Sequence, residues 1–120
     1  MYKFQKLEVY QLPLAHLDLV YTLAEKLPRS QEYNLRSQSV RAGTSVVLNI
    51  AEGSTSQSDP EQSRFLAIAL RSLVETVACQ NIIERRNYAA KADLTELNEC
   101  GQLLFSKIQA MRRSLERRDR

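Results

Sequence analysis

A helix stop and a helix start stand five residues apart near the middle of this 120-residue chain, at Gly53 and Ser58. Apolar residues before Gly53 recur at helical spacing, and Gly53 follows them where a left-handed C′ glycine is expected. After the polar run Gly-Ser-Thr-Ser-Gln-Ser, the sequence Ser58-Asp59-Pro60-Glu61 reads as a capping box with proline near the first helical position. Two helices joined by so short a turn can only lie side by side and antiparallel.

The flanking segments repeat this logic. Helix 1 is expected at about residues 7–27: Leu7, Tyr10, Leu14, Leu17, Tyr21 and Ala24 form one apolar stripe, with Val9, Leu12, Leu19, Val20, Leu23 and Leu27 beside it. Pro13 should kink this helix or end a loose first turn. The break Leu27-Pro28-Arg29-Ser30 offers Ser30 as N-cap of helix 2, about 31–52, whose core side is Leu35, Ala42, Val46 and Ile50. Helix 3, about 59–86, carries Phe65, Ile68, Ala69, Ser72, Thr76, Cys79 and Ile83, with Leu66, Leu70, Leu73 and Val77 adjacent. Helix 4, about 91–117, carries Leu94, Leu97, Leu104, Ile108, Met111 and Leu115, with Gly101 at a position of close packing. The chain therefore reads as one all-α domain over 1–120, an up-down-up-down antiparallel four-helix bundle. Helices 1 and 3 are apolar over more than the arc one core needs. A homo-oligomer is expected, with those two helices supplying most subunit contacts.

Charge is unevenly placed. Residues 1–111 hold 12 Lys/Arg and 12 Asp/Glu, so the formal excess of +3 resides in the last nine residues, where Arg112, Arg113, Arg117, Arg118 and Arg120 face Glu116 and Asp119. Such an end is a candidate phosphate contact; it is equally what a helix C-terminus uses to complement its dipole. Cys79 and Cys100 are too few for a disulfide framework and lack metal spacing, and His16 is the one histidine, so no metal and no cofactor are expected. His16 falls among apolar residues, where a packed neutral imidazole is expected. Without an apolar leader or a run of about 18 apolar residues, the expectation is a cytoplasmic protein without a membrane span.

On helix 2, Gln38, Arg41, Ser45, Asn49 and Glu52 follow spacings of three and four; on helix 3, Arg64, Arg71 and Glu75 do likewise. In an antiparallel hairpin this mirrored spacing pairs Glu52 with Arg64, Ser45 with Arg71 and Arg41 with Glu75. Two ion pairs about 16 Å apart would bracket Asn49. Such a seam fixes register more than it adds stability; a catalytic reading would require an enclosing pocket as well.

These residues also carry a resemblance. Phe4, Leu7, Leu27-Pro28, Tyr33-x-Leu35, Gln38-x-x-Arg41-Ala42, Ser45, Asn49-Ile50-Ala51-Glu52-Gly53, Arg64-Phe65-Leu66-x-Ile68-Ala69 and Ser72-Leu73-x-Glu75 together resemble the small four-helix-bundle proteins first noticed in intervening sequences of bacterial 23S rRNA genes. Arg71 departs from the pattern, which has glycine before the Ser-Leu pair. The resemblance implies a homopentameric antiparallel bundle. It also implies similarity to accessory proteins of diversity-generating retroelements, which bind nucleic acid and a reverse transcriptase. It implies no enzymatic activity.

The resulting expectation is a non-enzymatic oligomer that binds structured RNA or DNA by phosphate and shape through its arginine-rich end. A protein–protein scaffold, or an accessory subunit without nucleic-acid contact of its own, is the alternative. An all-helical enzyme using Arg41, Glu52, Arg64 and Glu75 is the third reading.

Overall fold

The structure, a computed structural model, describes residues 2–118. Four α-helices account for most of them: α1 (Glu8–Glu25), α2 (Ser37–Ser54), α3 (Asp59–Arg85) and α4 (Lys91–Arg118), with no strand among the described residues. α1 packs on α2 and α4, and α3 packs on α2 and α4, so α1 and α3 sit on a diagonal of an antiparallel bundle measuring 47 × 27 × 21 Å.

The helix ends follow local chemistry, with two departures from expectation. Ser58 caps α3 by accepting from the Glu61 N–H at 3.3 Å, and Pro60 lies in the first turn, where its missing donor is harmless. α3 closes through Asn87, whose φ of 59° is the left-handed cap conformation. The Tyr88 N–H donates to the Ile83 carbonyl at 3.1 Å and the Asn87 N–H to that of Glu84 at 3.1 Å, a Schellman motif that seats Tyr88 against the core. Ser30 makes no side-chain cap. Instead Pro28 leads into a 3-10 turn (Arg29–Gln31) and a π turn (Glu32–Arg36), and regular α-helix starts only at Ser37. Gly53 is not a left-handed cap either. It lies inside α2 with helical φ, and a Cβ placed there would meet Phe65 Cβ of α3 at 3.1 Å, so glycine serves close approach rather than chain reversal.

The core divides into two clusters. One gathers Val46, Ile50, Leu66, Leu70, Leu73, Leu104, Ile108 and Leu115; the other Val20, Leu23, Leu35, Cys79, Ile83, Leu94 and Leu97. Each helix crosses from one cluster to the other at a polar or small residue: His16 on α1, Ala42-Gly43 on α2, Thr76 on α3 and Gly101 on α4. His16 is fully buried, and its Nε2 lies 3.7 Å from where a Gly101 Cβ would sit. The absent side chain of α4 therefore makes room for the imidazole of α1. α1 runs through Pro13 without interruption, and its second stripe supplies most of this interior: Val20, Leu23 and Leu27 are buried with Pro13 and His16. The first stripe buries Ala24, leaves Tyr10, Leu14 and Leu17 half-buried and exposes Leu7 and Tyr21.

The exposed apolar surface thus lies mainly elsewhere. α1 leaves Tyr21, whereas α3 leaves Ile68, Val74, Val77 and Ile82, and α4 leaves Leu103 and Phe105. An 18-residue window of α3 reaches the length and mean hydropathy of a membrane span, a test that the core helix of a bundle passes as well. In the bundle 44 % of that window is buried, on the side that carries Leu66, Leu70 and Leu73.

Neither ring nitrogen of His16 has a hydrogen-bond partner, and burial lowers its pKa from 6.5 to about 4. The folded state therefore holds neutral histidine where the unfolded chain would be protonated. Stability from this site is complete above pH 6.5 and declines as pH falls from 6.5 towards 4, by about 3 kcal/mol in all. Urea titrations across that range should show the decline in the native protein and a shallower one in His16→Leu. The single histidine resonance of the native protein should titrate near pH 4.

Candidate nucleic-acid interface and polar seam

The centre of the α2–α3 hairpin is hydrogen-bonded rather than ion-paired. Ser45 Oγ lies 2.8 Å from Ser72 Oγ across the two helices. Asn49 Nδ2 donates to the Ser45 carbonyl at 2.8 Å and to Ser45 Oγ at 3.1 Å, which leaves the Ser45 hydroxyl proton available to Ser72. The expected register is therefore displaced by one residue: Ser72, not Arg71, faces Ser45. One residue turns a helix by about 100°, enough to send the Arg71 side chain to solvent.

The same rotation places the charged seam residues on the outer surface. Arg41, Glu52, Arg64 and Glu75 are all exposed, and no ion pair joins Arg41 to Glu75 or Glu52 to Arg64 among the described residues. Arg41 and Glu52 flank an open hollow of about 360 Å³ along α2, with Ser45, Leu48 and Asn49 between them. Arg64 and Arg71 flank a second of about 500 Å³ along α3, with Phe65 and Ile68. The seam thus comprises an inner serine–asparagine clasp and an outer ring of free charges. Two ion pairs among the described residues lie elsewhere: Lys26 with Asp93 at 2.7 Å, and Lys107 with Glu8 at 3.0 Å, both tying α1 to α4. Lys26 and, second, the Ala90 N–H hold the Asp93 carboxyl below its ordinary pKa.

The arginine-rich end separates by exposure. Arg113 and Arg117 are exposed on the last turns of α4. Arg112 is half-buried, and its Nε is shielded from solvent without a partner beside a hollow lined by Pro60, Arg64, Leu115 and Glu116. Arg118 supplies the final backbone of α4; its side chain and Arg120 lie outside the described residues. The topology adds two cations that the sequence reading passed over. Lys3 and Lys6, in a 3-10 turn (Lys3–Lys6), precede α1, and the Glu8–Lys107 pair holds that start against the C-terminal half of α4. Both lysines are exposed. Only the antiparallel order of an even number of helices reveals that the two chain ends share one end of the bundle.

An all-α antiparallel four-helix bundle with a polar clasp between its second and third helices is the class of protein that these features define. Within that class, residues 5–110 match the 23S rRNA-intervening sequence protein family, and the chain belongs to it. A crystal structure of a protein of unknown function from the S23 ribosomal protein family of Bacteroides thetaiotaomicron is similar, with a TM-score of 0.80 and 23% identity over 87% of this chain and 97% of that one. At that identity the likeness concerns the fold. No curated protein matches the chain. The arginine cluster begins at residue 112, beyond the matched span, so its role rests on this chain's own residues.

The serine clasp is open to direct measurement. In a double-mutant cycle with Ser45→Ala and Ser72→Ala, the coupling should be about 0.5–1.5 kcal/mol by chemical denaturation. The same cycle on Ser45 and Arg71 should give a coupling indistinguishable from zero.

Proposed function

We propose that the protein is a non-enzymatic, cytoplasmic homo-oligomer that binds structured nucleic acid, RNA foremost, by phosphate contact at one end of the bundle. The observation that carries this reading is the placement of exposed Arg113 and Arg117 at the same end of the bundle as exposed Lys3 and Lys6, four cations from opposite ends of the sequence. In a cyclic assembly, the homopentamer implied by the family resemblance included, the set recurs once per subunit. That converts a small formal charge into a concentrated positive field. The same end carries Tyr2, 74 % exposed and stacked on Phe4 with ring centroids 6.0 Å apart, an aromatic face beside Lys3 that the sequence alone did not suggest. Recognition would therefore combine phosphate contact with sequence-tolerant base stacking.

A second reading, a protein scaffold or accessory subunit, draws support from the uncharged groove between α3 and α4, where Val74, Val77 and Phe105 are exposed beside Asn81, Asn98 and Gln102. Recovery of a stoichiometric protein without nucleic acid in a pull-down would favour it.

The buried Leu115 makes truncation of α4 a poor test, since removing it opens the core. Charge neutralisation leaves the core intact. Arg113→Gln with Arg117→Gln should weaken binding to a structured RNA at low salt by tenfold or more, on the order of the loss of two phosphate contacts. The slope of log K against log salt should decrease by about one per arginine removed and per subunit engaged. Unchanged affinity and slope in a filter-binding assay would remove this end from the reading.

A further inference from the structure

We propose that an unpaired segment of RNA lies along the α3–α4 groove, with a base in its uncharged hollow and its phosphates running on to Arg113 and Arg117. The inference rests on the phosphate-contact reading proposed above. It adds a site for the uncharged part of the same polymer.

The hollow between α3 and α4 has a volume of about 690 Å³, within the roughly 300–1,000 Å³ that small-molecule sites occupy. Leu73 and Val77 line its α3 side with Val74, and Phe105, 38 % exposed, faces it from α4. Its polar groups are the carboxamides of Asn81, Asn98 and Gln102 and the hydroxyl of Ser106. Among the described residues none of these four side chains has a hydrogen-bond partner. By contrast, the carboxamides of Asn34, Gln38 and Asn49, in and before α2, are all engaged.

Three free carboxamides beside an exposed ring offer donors, acceptors and a stacking face together. That combination suits the edge and face of a nucleobase. Asn and Gln pair bidentately with adenine, and unpaired bases stack on aromatic side chains. No charged residue lines the hollow, so a phosphate finds no cation there and the neutral part of a nucleotide is what fits. A duplex keeps its bases paired and stacked, so the occupant is a loop, a bulge or a single-stranded end.

Continuity with the cationic end identifies a polymer. On α4, Arg113 stands eleven residues beyond Gln102 and Arg117 eleven beyond Ser106, three turns in each case, so all four share one face of the helix. Half-buried Gln109 lies on the same line. From Gln102 to Arg113 the helix rises about 16 Å, and a stacked strand advances about 3.4 Å per phosphate, so about five nucleotides bridge the two sites. A second hollow between α3 and α4, of about 280 Å³, lies on the way and holds Arg64 and Arg112 with Asp59 and Glu116. Its carboxylates offset those two arginines, which leaves exposed Arg113 and Arg117 as the phosphate contacts. A strand carries both chemistries in every nucleotide, whereas a protein partner would have to supply a neutral surface and an acidic one in the same order.

The test uses three RNA probes on one stem in filter binding at low salt: a loop of about eight adenosines, long enough to span both sites, the same loop without bases, and a blunt duplex. The native protein should bind the adenosine loop about tenfold more tightly than either control. Asn98→Ala with Gln102→Ala should abolish that advantage and leave duplex affinity and salt slope unchanged, a pattern that loss of folding would not give. Gln102→Glu, which brings a charge into the hollow, should do the same. Arg113→Gln with Arg117→Gln should weaken all three probes and lower the slope while the preference persists. Equal binding of the adenosine and abasic loops by the native protein would overturn the base site and leave phosphate contact standing. Binding of none of the probes would remove the phosphate reading and this one with it. A loop preference that survives in the carboxamide variants and disappears in Tyr2→Ala would overturn the proposal in favour of the Tyr2 ring. Free adenosine monophosphate competing as well as oligoadenylate would assign the hollow to a mononucleotide and overturn the strand. A partner protein lost from the carboxamide variants, with loop binding intact, would overturn it in favour of a protein surface.

Discussion

The approach of α2 to α3 at Gly53 governs the rest of the molecule. A side chain there would crowd Phe65, so glycine lets the two backbones close at the hairpin's base, and the helices rise from it in a register that faces Ser45 with Ser72. Once that register is set, inward and outward positions follow at about 100° per residue. Leu66, Ala69, Leu70 and Leu73 turn to the core, and Arg64 and Arg71 turn to solvent. The hairpin's charges are therefore a consequence of its packing and not its cause. This fits the general weakness of exposed ion pairs as sources of stability.

A second constraint works across the diagonal. The imidazole of His16 is a large polar group in an apolar interior, without a hydrogen bond, and the bundle accommodates it by keeping its neighbouring layer small. Leaving a buried polar group unsatisfied costs about 1–3 kcal/mol. The layer it occupies separates the two core clusters. It also makes α1 indispensable to the interior. The width of its apolar arc reflects its two neighbours, α2 and α4, within the same chain.

Much of this was legible in the residues. The four helices, their antiparallel order and the approximate hairpin register follow from apolar periodicity, from the Ser58 cap and from the shortness of the connections. What was not legible depends on differences smaller than periodicity resolves. Whether Arg71 or Ser72 faces Ser45 is a single helical step. Whether Gly53 reverses the chain or admits Phe65 depends on tertiary contact, since a glycine near a helix end suits either role. The wide arc of α1 could not be divided between a neighbour in the same chain and one in another chain before the bundle closed. The contribution of Lys3 and Lys6 to the basic end is a property of topology alone, invisible in a linear tally of charge.

Packing and charge therefore divide the molecule along its length and around its circumference. The basic groups gather at the end where both termini lie, whereas the uncovered apolar surface runs along the two faces that meet at α3. The α2–α3 face and the end do not compete: contacts along the face leave the end free, and contacts at the end leave the face free. Self-association through that face would raise the local density of the end cations, so that several weak phosphate contacts act together with the high effective concentration of a multivalent array. The arginine end of one subunit is a modest charge near a helix terminus. On the proposed function, its capacity to hold a polyanion would arise from repetition around an assembly, for which the uncovered apolar surface is the area available.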